Sequence, residues 1–154
     1  MKKILVIALA VVLALGVLAF AACEQPQTVT GECKYENKWT PGAFYGAKVD
    51  VTVKGNTITA VKLYTDAETG WTRTTTSWEA KEGQLGFDAA EKAYEAWIAK
   101  TFVGKTVAEV NAYKATATQD AQTVDTASAN LAGATQSSAR IIVAVQNALS
   151  KLGK

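Results

Sequence analysis

The feature that most constrains the fold is a pair of strand-like segments joined by a glycine-asparagine dipeptide. In the first segment polar and apolar residues alternate, the period-two pattern of a strand with one buried face; its apolar members are Ala47, Val49, Val51 and Val53. Gly55-Asn56 favours a two-residue hairpin turn, and residues 57–65 follow as the return strand. The return strand breaks strict alternation, which predicts a β-bulge near Thr59 and Ala60. We therefore expect an antiparallel hairpin near the start of the folded domain.

The first 23 residues have the layout of a bacterial lipoprotein leader. Lys2 and Lys3 precede a long uncharged apolar run, and small residues precede Cys23. This pattern is typical of a secretory signal, and residues 20–23 resemble a lipobox, in which the cysteine is lipidated. A retained membrane-spanning anchor is the alternative. Both interpretations place the rest of the chain outside the cytoplasm, anchored to the bacterial cell membrane.

This layout divides the chain into three parts. Residues 1–22 are expected to be a lipoprotein signal peptide, and residues 23–41 a polar linker that carries the lipid on Cys23. Residues 42–154 would then form the functional domain. With Cys23 lipidated, Cys33 has no disulfide partner, because the chain has only two cysteines.

The composition excludes several classes of site. The whole chain has 16 basic and 14 acidic residues, and removal of the leader with its two lysines leaves the charges balanced. A domain without net charge lacks the electrostatic footprint of a nucleic-acid-binding protein. The chain has no histidine, which removes serine–histidine triads, most zinc sites and imidazole general bases. Any redox or transfer chemistry therefore points to a cofactor.

The remainder of the chain predicts helices and loops around the hairpin. Helix-start patterns occur at Asp88 and Thr106, and a final apolar helix is expected to begin near Ser137. We expect an α+β fold, with a small antiparallel sheet that starts with the hairpin and packs against two or three helices. The polar segment before the first long helix contains Trp71 and Trp78, which either fill the core or cover a flat aromatic ligand.

The sequence "AGATQSS" before the last helix suggests an anion site. The first turn of a helix has unpaired backbone N–H groups and partial positive charge, so it binds phosphate without lysine or arginine. Gly133 allows close approach of the backbone, and Thr135 would lie beside the bound phosphate. The side-chain donors expected nearby are Gln136, Ser137 and Ser138. The alternative is an ordinary turn in which Ser137 caps the helix.

The segment "DTASANLAGATQSSARIIVAVQNAL" resembles the C-terminal signature of the FMN-binding domain family. This domain also occurs in the extracytoplasmic flavin subunits of Rnf-type and sodium-pumping quinone-reductase complexes. Residues 132–138 match the family's turn, and the hairpin resembles its N-terminal strands. The resemblance implies that Thr135 is esterified to the phosphate of FMN by a flavin transferase that uses FAD. Gly133, Ala134, Gln136, Ser137 and Ser138 would surround this linkage.

The resemblance also implies further site residues. Ala129 stands where the family often has an aspartate, so Asp125 is the candidate for that role. Glu68, Thr69, Gly70 and Trp71 would replace a loop beside the flavin ring. Trp78 is a candidate for a different reason: with Trp71 it forms a pair of tryptophans in one polar segment, which suits a flat aromatic ligand. The implied function is that of an electron carrier rather than a stand-alone enzyme, a monomer that meets redox partner proteins.

Three alternatives remain open at this point. The same fold could bind FMN or another flavin noncovalently, or serve as the flavin subunit of a reductase whose catalytic domain is another chain. The third alternative is a non-redox envelope lipoprotein that binds a protein or a glycan. In that case the Gly-Ala-Thr turn would only be structural.

Overall fold

A computed structural model describes residues 25–72, 87–125 and 135–153 of the chain. The predicted leader and Cys23 lie outside these ranges. Three predicted site residues also lie outside them: Trp78, Gly133 and Ala134. In the described ranges, no helix combines the length and the apolar character needed to cross a membrane.

The described ranges contain five strands and four helices. In chain order they are β1 (Gln27–Glu36), β2 (Phe44–Lys54), β3 (Thr57–Leu63), α1 (Asp66–Thr69), α2 (Phe87–Phe102), α3 (Val107–Asn111), β4 (Ala115–Ala117), β5 (Gln122–Val124) and α4 (Thr135–Leu149). The first three strands form an antiparallel sheet in the order β1-β2-β3, and β4 and β5 form a separate two-stranded hairpin. The fold is α+β, as predicted, with a small antiparallel sheet packed against helices and a C-terminal helix.

The predicted hairpin is present as β2 and β3. Gly55 opens the connecting turn with a φ of 60°, a backbone conformation that glycine adopts without steric cost. Thr52 pairs with Ala60, but Val53 pairs with Ile58, so Thr59 is an extra residue on β3. This is the predicted bulge. The alternating apolar residues of β2 are buried, as expected; they are Ala47, Val49, Val51 and Val53.

The prediction of a linker over residues 23–41 is wrong for Gln27–Glu36, which form β1. All ten residues of this strand pair with β2, from Gln27 opposite Val53 to Glu36 opposite Phe44. Two of the positions that face the interior are Gly31 and Cys33. Because these side chains are small, the strand lacks the strong apolar alternation that identified β2. The folded domain therefore includes Gln27–Glu36.

Other differences concern the elements around the sheet. α4 begins at Thr135, two residues before the predicted start. The short helix α1 was not predicted, although Thr65 and Glu68 form a capping box, the signature of a helix start. The long connection before α4 contains β4 in addition to the predicted strand near Gln122.

The helix α4 is the central packing element. It contacts β1 and β2 of the sheet and also β4 and β5 of the small hairpin. The buried residues among its 15 are Ser137, Ser138, Ala139, Arg140, Ile141, Ile142, Ala144, Val145, Ala148 and Leu149. Burial of each large aliphatic side chain stabilises the fold by about 1.5–3 kcal/mol. The hydrophobic effect therefore holds the sheet and the hairpin on one helix.

Gly31 of β1 permits α4 to approach the sheet closely. A Cβ atom at this position would lie 2.0 Å from the carbonyl oxygen of Ala144 and 2.4 Å from the amide nitrogen of Ala148. Both are backbone atoms, so no side-chain rotation relieves the clash. Only glycine allows this spacing between the strand and the helix.

We expect Gly31→Ala to lower the free energy of unfolding by about 1–3 kcal/mol, the usual cost of overpacking a core. The physical reason is that the whole helix must move away from β1. Urea denaturation of the purified full chain measures the change. Thr28→Ala, on the exposed part of the same strand, is the matched control and should change stability by at most about 0.5 kcal/mol. Equal stabilities of Gly31→Ala and the unmodified chain would contradict the packing described.

Candidate functional site

The start of α4 lies beside the end of β1. The two elements run in opposite directions: the Asn147 side chain donates a hydrogen bond of 2.8 Å to the carbonyl of Glu32, whereas Arg140 reaches Tyr35. Continued along both elements, this alignment brings Thr135 toward the loop that follows β1. The site expected from the sequence is therefore built against the β1–β2 loop.

Arg140 is the charged residue at the base of this region, and its side chain is 0% exposed. The central carbon of its guanidinium lies 5.8 Å from the ring centroid of Tyr35 and 5.4 Å from that of Tyr45, within cation–π range. Its Nη1 donates a hydrogen bond of 3.4 Å to the carbonyl of Thr72. Sequence reasoning missed Arg140. The available signal was a single charge within the apolar run of the last helix.

Thr72 extends the sheet beside β2 and connects Arg140 with Trp71. The Thr72 amide donates to the carbonyl of Phe44 at 2.9 Å, and the Gly46 amide donates to the carbonyl of Thr72 at 3.1 Å. A Cβ at Gly46 would lie 2.8 Å from Cε3 of Trp71, so the indole packs directly on this glycine. Neighbouring strand positions face opposite sides of a sheet. The Trp71 ring therefore lies on the sheet face opposite Tyr45 and Arg140.

The predicted flavin loop, residues 68–71, is held by local hydrogen bonds. The Glu68 carboxylate accepts hydrogen bonds from the backbone amide of Thr65 at 2.7 Å and from Lys62 Nζ at 3.3 Å. The bond from the Thr65 amide is the main reason that the pKa of Glu68 lies below its ordinary value. Thr69 accepts from the Trp71 amide at 3.1 Å, and Gly70 ends α1 with a φ of 69°. These bonds tie residues 68–71 to α1 and to Lys62 of β3.

A cleft of about 290 Å³ lies where the β1–β2 loop approaches the β4–β5 turn. Its walls combine aromatic rings and side-chain amides, contributed mainly by Tyr35, Trp39, Tyr45, Gln119, Gln122 and Gln136. Since Gln136 directly follows Thr135, the cleft opens beside the predicted attachment residue. This composition suits a flat polar ring system.

A larger cavity of about 640 Å³ lies elsewhere, between β3 and α2. It is lined mostly by apolar groups, with Glu68 as its one predicted site residue and Tyr94 and Ile98 on its helical side. Size alone would favour it as a binding site. The smaller cleft is the better candidate because it adjoins Thr135 and has polar groups that can orient a ligand.

The predicted phosphate-binding residues that the structure describes differ in their exposure to solvent. Thr135 is the first residue of α4 and is partly exposed, and Gln136 is exposed. Ser137 and Ser138 are 2% and 0% exposed, so their hydroxyls lie in the interior. Of the three predicted side-chain donors, only Gln136 reaches the surface.

The described contacts do not bring Asp125 to Thr135. Its backbone amide donates to the carbonyl of Lys114 at 2.8 Å, and its carboxylate lies 3.9 Å from Lys114 Nζ. The neighbouring Tyr113 carbonyl accepts a hydrogen bond of 2.7 Å from Gln146. Gln146 lies 11 residues after Thr135, about 16 Å along the helix axis. Asp125 thus belongs to the region of the later turns of α4.

Cys33 is buried beneath the cleft region, and its thiol donates a hydrogen bond of 3.6 Å to the carbonyl of Ala117. Burial raises the pKa of the thiol to about 11, and the positive charge of Arg140 lowers it by a smaller amount. A thiol with this pKa stays protonated at neutral pH. The structure therefore gives Cys33 a packing role.

We expect the stability contributed by the Cys33 thiol to fall in alkaline solution. Because its pKa is higher in the folded state, the contribution is fully present below pH about 9 and is lost as the pH rises through about 11. The measurement is the difference in free energy of unfolding between the unmodified chain and Cys33→Ala, from urea denaturation at several pH values. A difference that stays constant through pH 11 would exclude the buried, protonated thiol.

Comparison of the chain with protein-family models, with curated proteins and with solved structures gives no match.

Proposed function

We propose that this chain is an extracytoplasmic lipoprotein that carries FMN, attached through its phosphate to Thr135, and that transfers electrons. One observation carries the proposal. Thr135 is partly exposed at the first position of a 15-residue helix, beside a cleft lined by aromatic and amide side chains. The signature around this threonine, residues 132–138, supports the same residue as the attachment point.

Two sources of positive potential at the start of α4 favour a phosphate there. The first is the helix N-terminus, where the macrodipole is equivalent to about half a positive charge. The second is the buried guanidinium of Arg140, five residues further along α4 and so about 7.5 Å along its axis. The low dielectric of the interior screens this charge much less than water screens surface charges.

Attachment would be a transfer of the FMN phosphoryl group from FAD to the threonine. The Thr135 oxygen forms a bond to the phosphorus on the flavin side of the FAD pyrophosphate, and the bond from this phosphorus to the AMP oxygen breaks. AMP leaves, and the hydroxyl proton is released to a base. As part of the same proposal, we assign this base to the partner, an FAD-dependent flavin transferase.

When bound, FMN supplies one- and two-electron transfer. The chain's part is to anchor the cofactor, to orient it and to shield one side of its ring. A phosphodiester bond also prevents loss of the cofactor outside the cytoplasm, where free FMN is scarce. Without the leader, the chain has equal numbers of basic and acidic side chains. This balance favours transient contacts with redox partner proteins over strong electrostatic steering. The carrier is proposed to be a monomer, held at the membrane by the lipid on Cys23.

Several related functions make distinct predictions. A noncovalent flavin protein, or the flavin subunit of a reductase, would be yellow when purified, and the noncovalent form would lose its colour on denaturation. A non-redox envelope module is a second candidate, favoured by the exposure of Trp39, since aromatic faces also bind glycans. Such a module would be colourless, whatever transferase is present.

We expect the full chain, expressed in a bacterium with an active flavin transferase, to gain the mass of one FMN less one water. Thr135→Val keeps the shape of the side chain but removes the oxygen, so it should abolish the gain completely. Flavin fluorescence in a denaturing gel and intact mass measure the attachment. Thr116→Val, at an exposed position of β4, is the control and should be fully loaded.

An unmodified, colourless chain beside a correctly flavinylated control substrate would exclude the proposed function. Mass gain in Thr135→Val would also contradict it, because another residue would then carry the flavin. Any shortened version of the protein must retain residues from Gln27 onward, since β1 starts there.

A further inference from the structure

Trp39 lies on the surface, in a loop that local hydrogen bonds hold together. Its side chain is 85% exposed, which is unusual for the largest apolar side chain. The loop itself is fixed: the Trp39 amide donates to Asn37 Oδ1 at 2.8 Å, the Gly42 amide donates to Glu36 Oε1 at 2.8 Å, and the Asn37 amide donates to the Ala43 carbonyl at 2.8 Å. These bonds hold the backbone that carries the exposed indole.

The opposite wall of the cleft is fixed as well. Gln122 donates from its side-chain amide to the Thr118 carbonyl and to the Gln119 carbonyl, which holds it against the β4–β5 turn. Across the mouth, Lys38 Nζ lies 3.7 Å from the Asp120 carboxylate. This exposed ion pair contributes little stability, but it links the two loops that form the cleft. The two loops therefore approach each other across the mouth of the cleft.

We infer that this cleft receives the isoalloxazine ring of the FMN, with the indole of Trp39 stacked on one face of the ring. The inference rests on the proposed function and extends it by naming the ring-binding residues. Tyr35 and Tyr45 form the base of this ring site, and the glutamine amides form its polar wall.

The size and the chemistry of the cleft support this assignment. Its volume, about 290 Å³, lies at the lower limit of the roughly 300–1,000 Å³ of drug-sized ligand sites. It therefore suits one ring system and leaves the phosphate outside, at the start of α4. The pyrimidine edge of the flavin presents two carbonyl groups and one N–H, and primary amides both donate and accept hydrogen bonds. Gln119 and Gln136 carry such amides at the cleft, and Gln122, whose amide nitrogen already donates to the Thr118 and Gln119 carbonyls, would contribute its oxygen.

The position of Trp71 favours Trp39 as the stacking residue. The Trp71 ring packs on Gly46 on the other face of the sheet, and Lys34 Nζ lies 5.0 Å from it. A ring tethered at Thr135 and placed in the cleft would contact Trp39 without passing through the sheet. Separate substitution of Trp39 and Trp71 therefore distinguishes a flavin ring in the cleft from one on the other face of the sheet.

The test compares the flavin fluorescence of the loaded full chain before and after unfolding, at equal flavin content. Stacked indoles quench flavin emission, so the native protein should be dim relative to its unfolded form. Trp39→Leu should raise the native emission toward the unfolded value, with Tyr35 and Tyr45 leaving part of the quenching in place. Tyr64→Leu, which removes an aromatic ring from the outer face of the sheet, is the control and should leave the quenching unchanged.

Each outcome decides between the two proposals. If Trp39→Leu carries a full load of flavin and its flavin emission is as strongly quenched as in the unmodified chain, the ring-site proposal fails. The proposed attachment at Thr135 is then unaffected. If quenching is lost in Trp71→Leu but not in Trp39→Leu, the ring-site proposal also fails, and the flavin ring then lies beside residues 68–71.

If no flavin becomes attached to the chain, the attachment proposal fails, and titration of the unloaded chain with free FMN then tests the cleft. In that titration we expect Trp39→Leu to raise the dissociation constant about 5- to 150-fold, the loss caused by removing one stacked aromatic ring.

An unloaded chain that does not bind free FMN overturns the ring site outright. A soluble oligosaccharide that changes the tryptophan emission of that same chain, but not that of Trp39→Leu, would assign the cleft to glycan binding instead.

Discussion

The structure depends on the contact between α4 and Gly31. At this point the backbone of the helix lies directly on the backbone of β1, with no space for even one methyl group. This contact fixes the distance and the direction of α4 relative to the sheet. Because α4 also carries the β4–β5 hairpin, it brings the end of β1, the turn of the small hairpin and Thr135 to one edge of the molecule. The candidate site is a consequence of this packing.

The buried guanidinium of Arg140 is the second constraint on the structure. Its burial has a cost in free energy as well as a compensation. Burial of a charge costs several kcal/mol before compensation, and two tyrosine rings and the carbonyl of Thr72 supply part of that compensation. The same charge lowers the pKa values of Cys33 and Tyr35, but burial raises both by more, so each remains above its ordinary value. Desolvation is therefore the larger effect in this part of the core. The guanidinium joins the start of α4 to the segment after α1.

The sequence predicts those parts of the fold that local pattern determines. The β2–β3 hairpin and its bulge follow from alternation and its single interruption, and the α+β class follows from the hairpin and the helix signals. β1 was missed because its inward positions include Gly31 and Cys33, which carry no strong apolar signal. The cleft was missed for a different reason: Trp39, Gln122 and Gln136 become neighbours only through tertiary packing. The attachment residue could be proposed from sequence because one short motif contains it.

The most direct test of the central claim is to identify the flavin-bearing residue. Tryptic digestion after Lys114 and Arg140 releases residues 115–140, and fragmentation of this peptide in a mass spectrometer locates any added group. After expression of the full chain with an active flavin transferase, we predict a single phosphate-linked FMN on Thr135. A peptide that is unmodified, or that carries the flavin on one of its other threonines, would contradict the account.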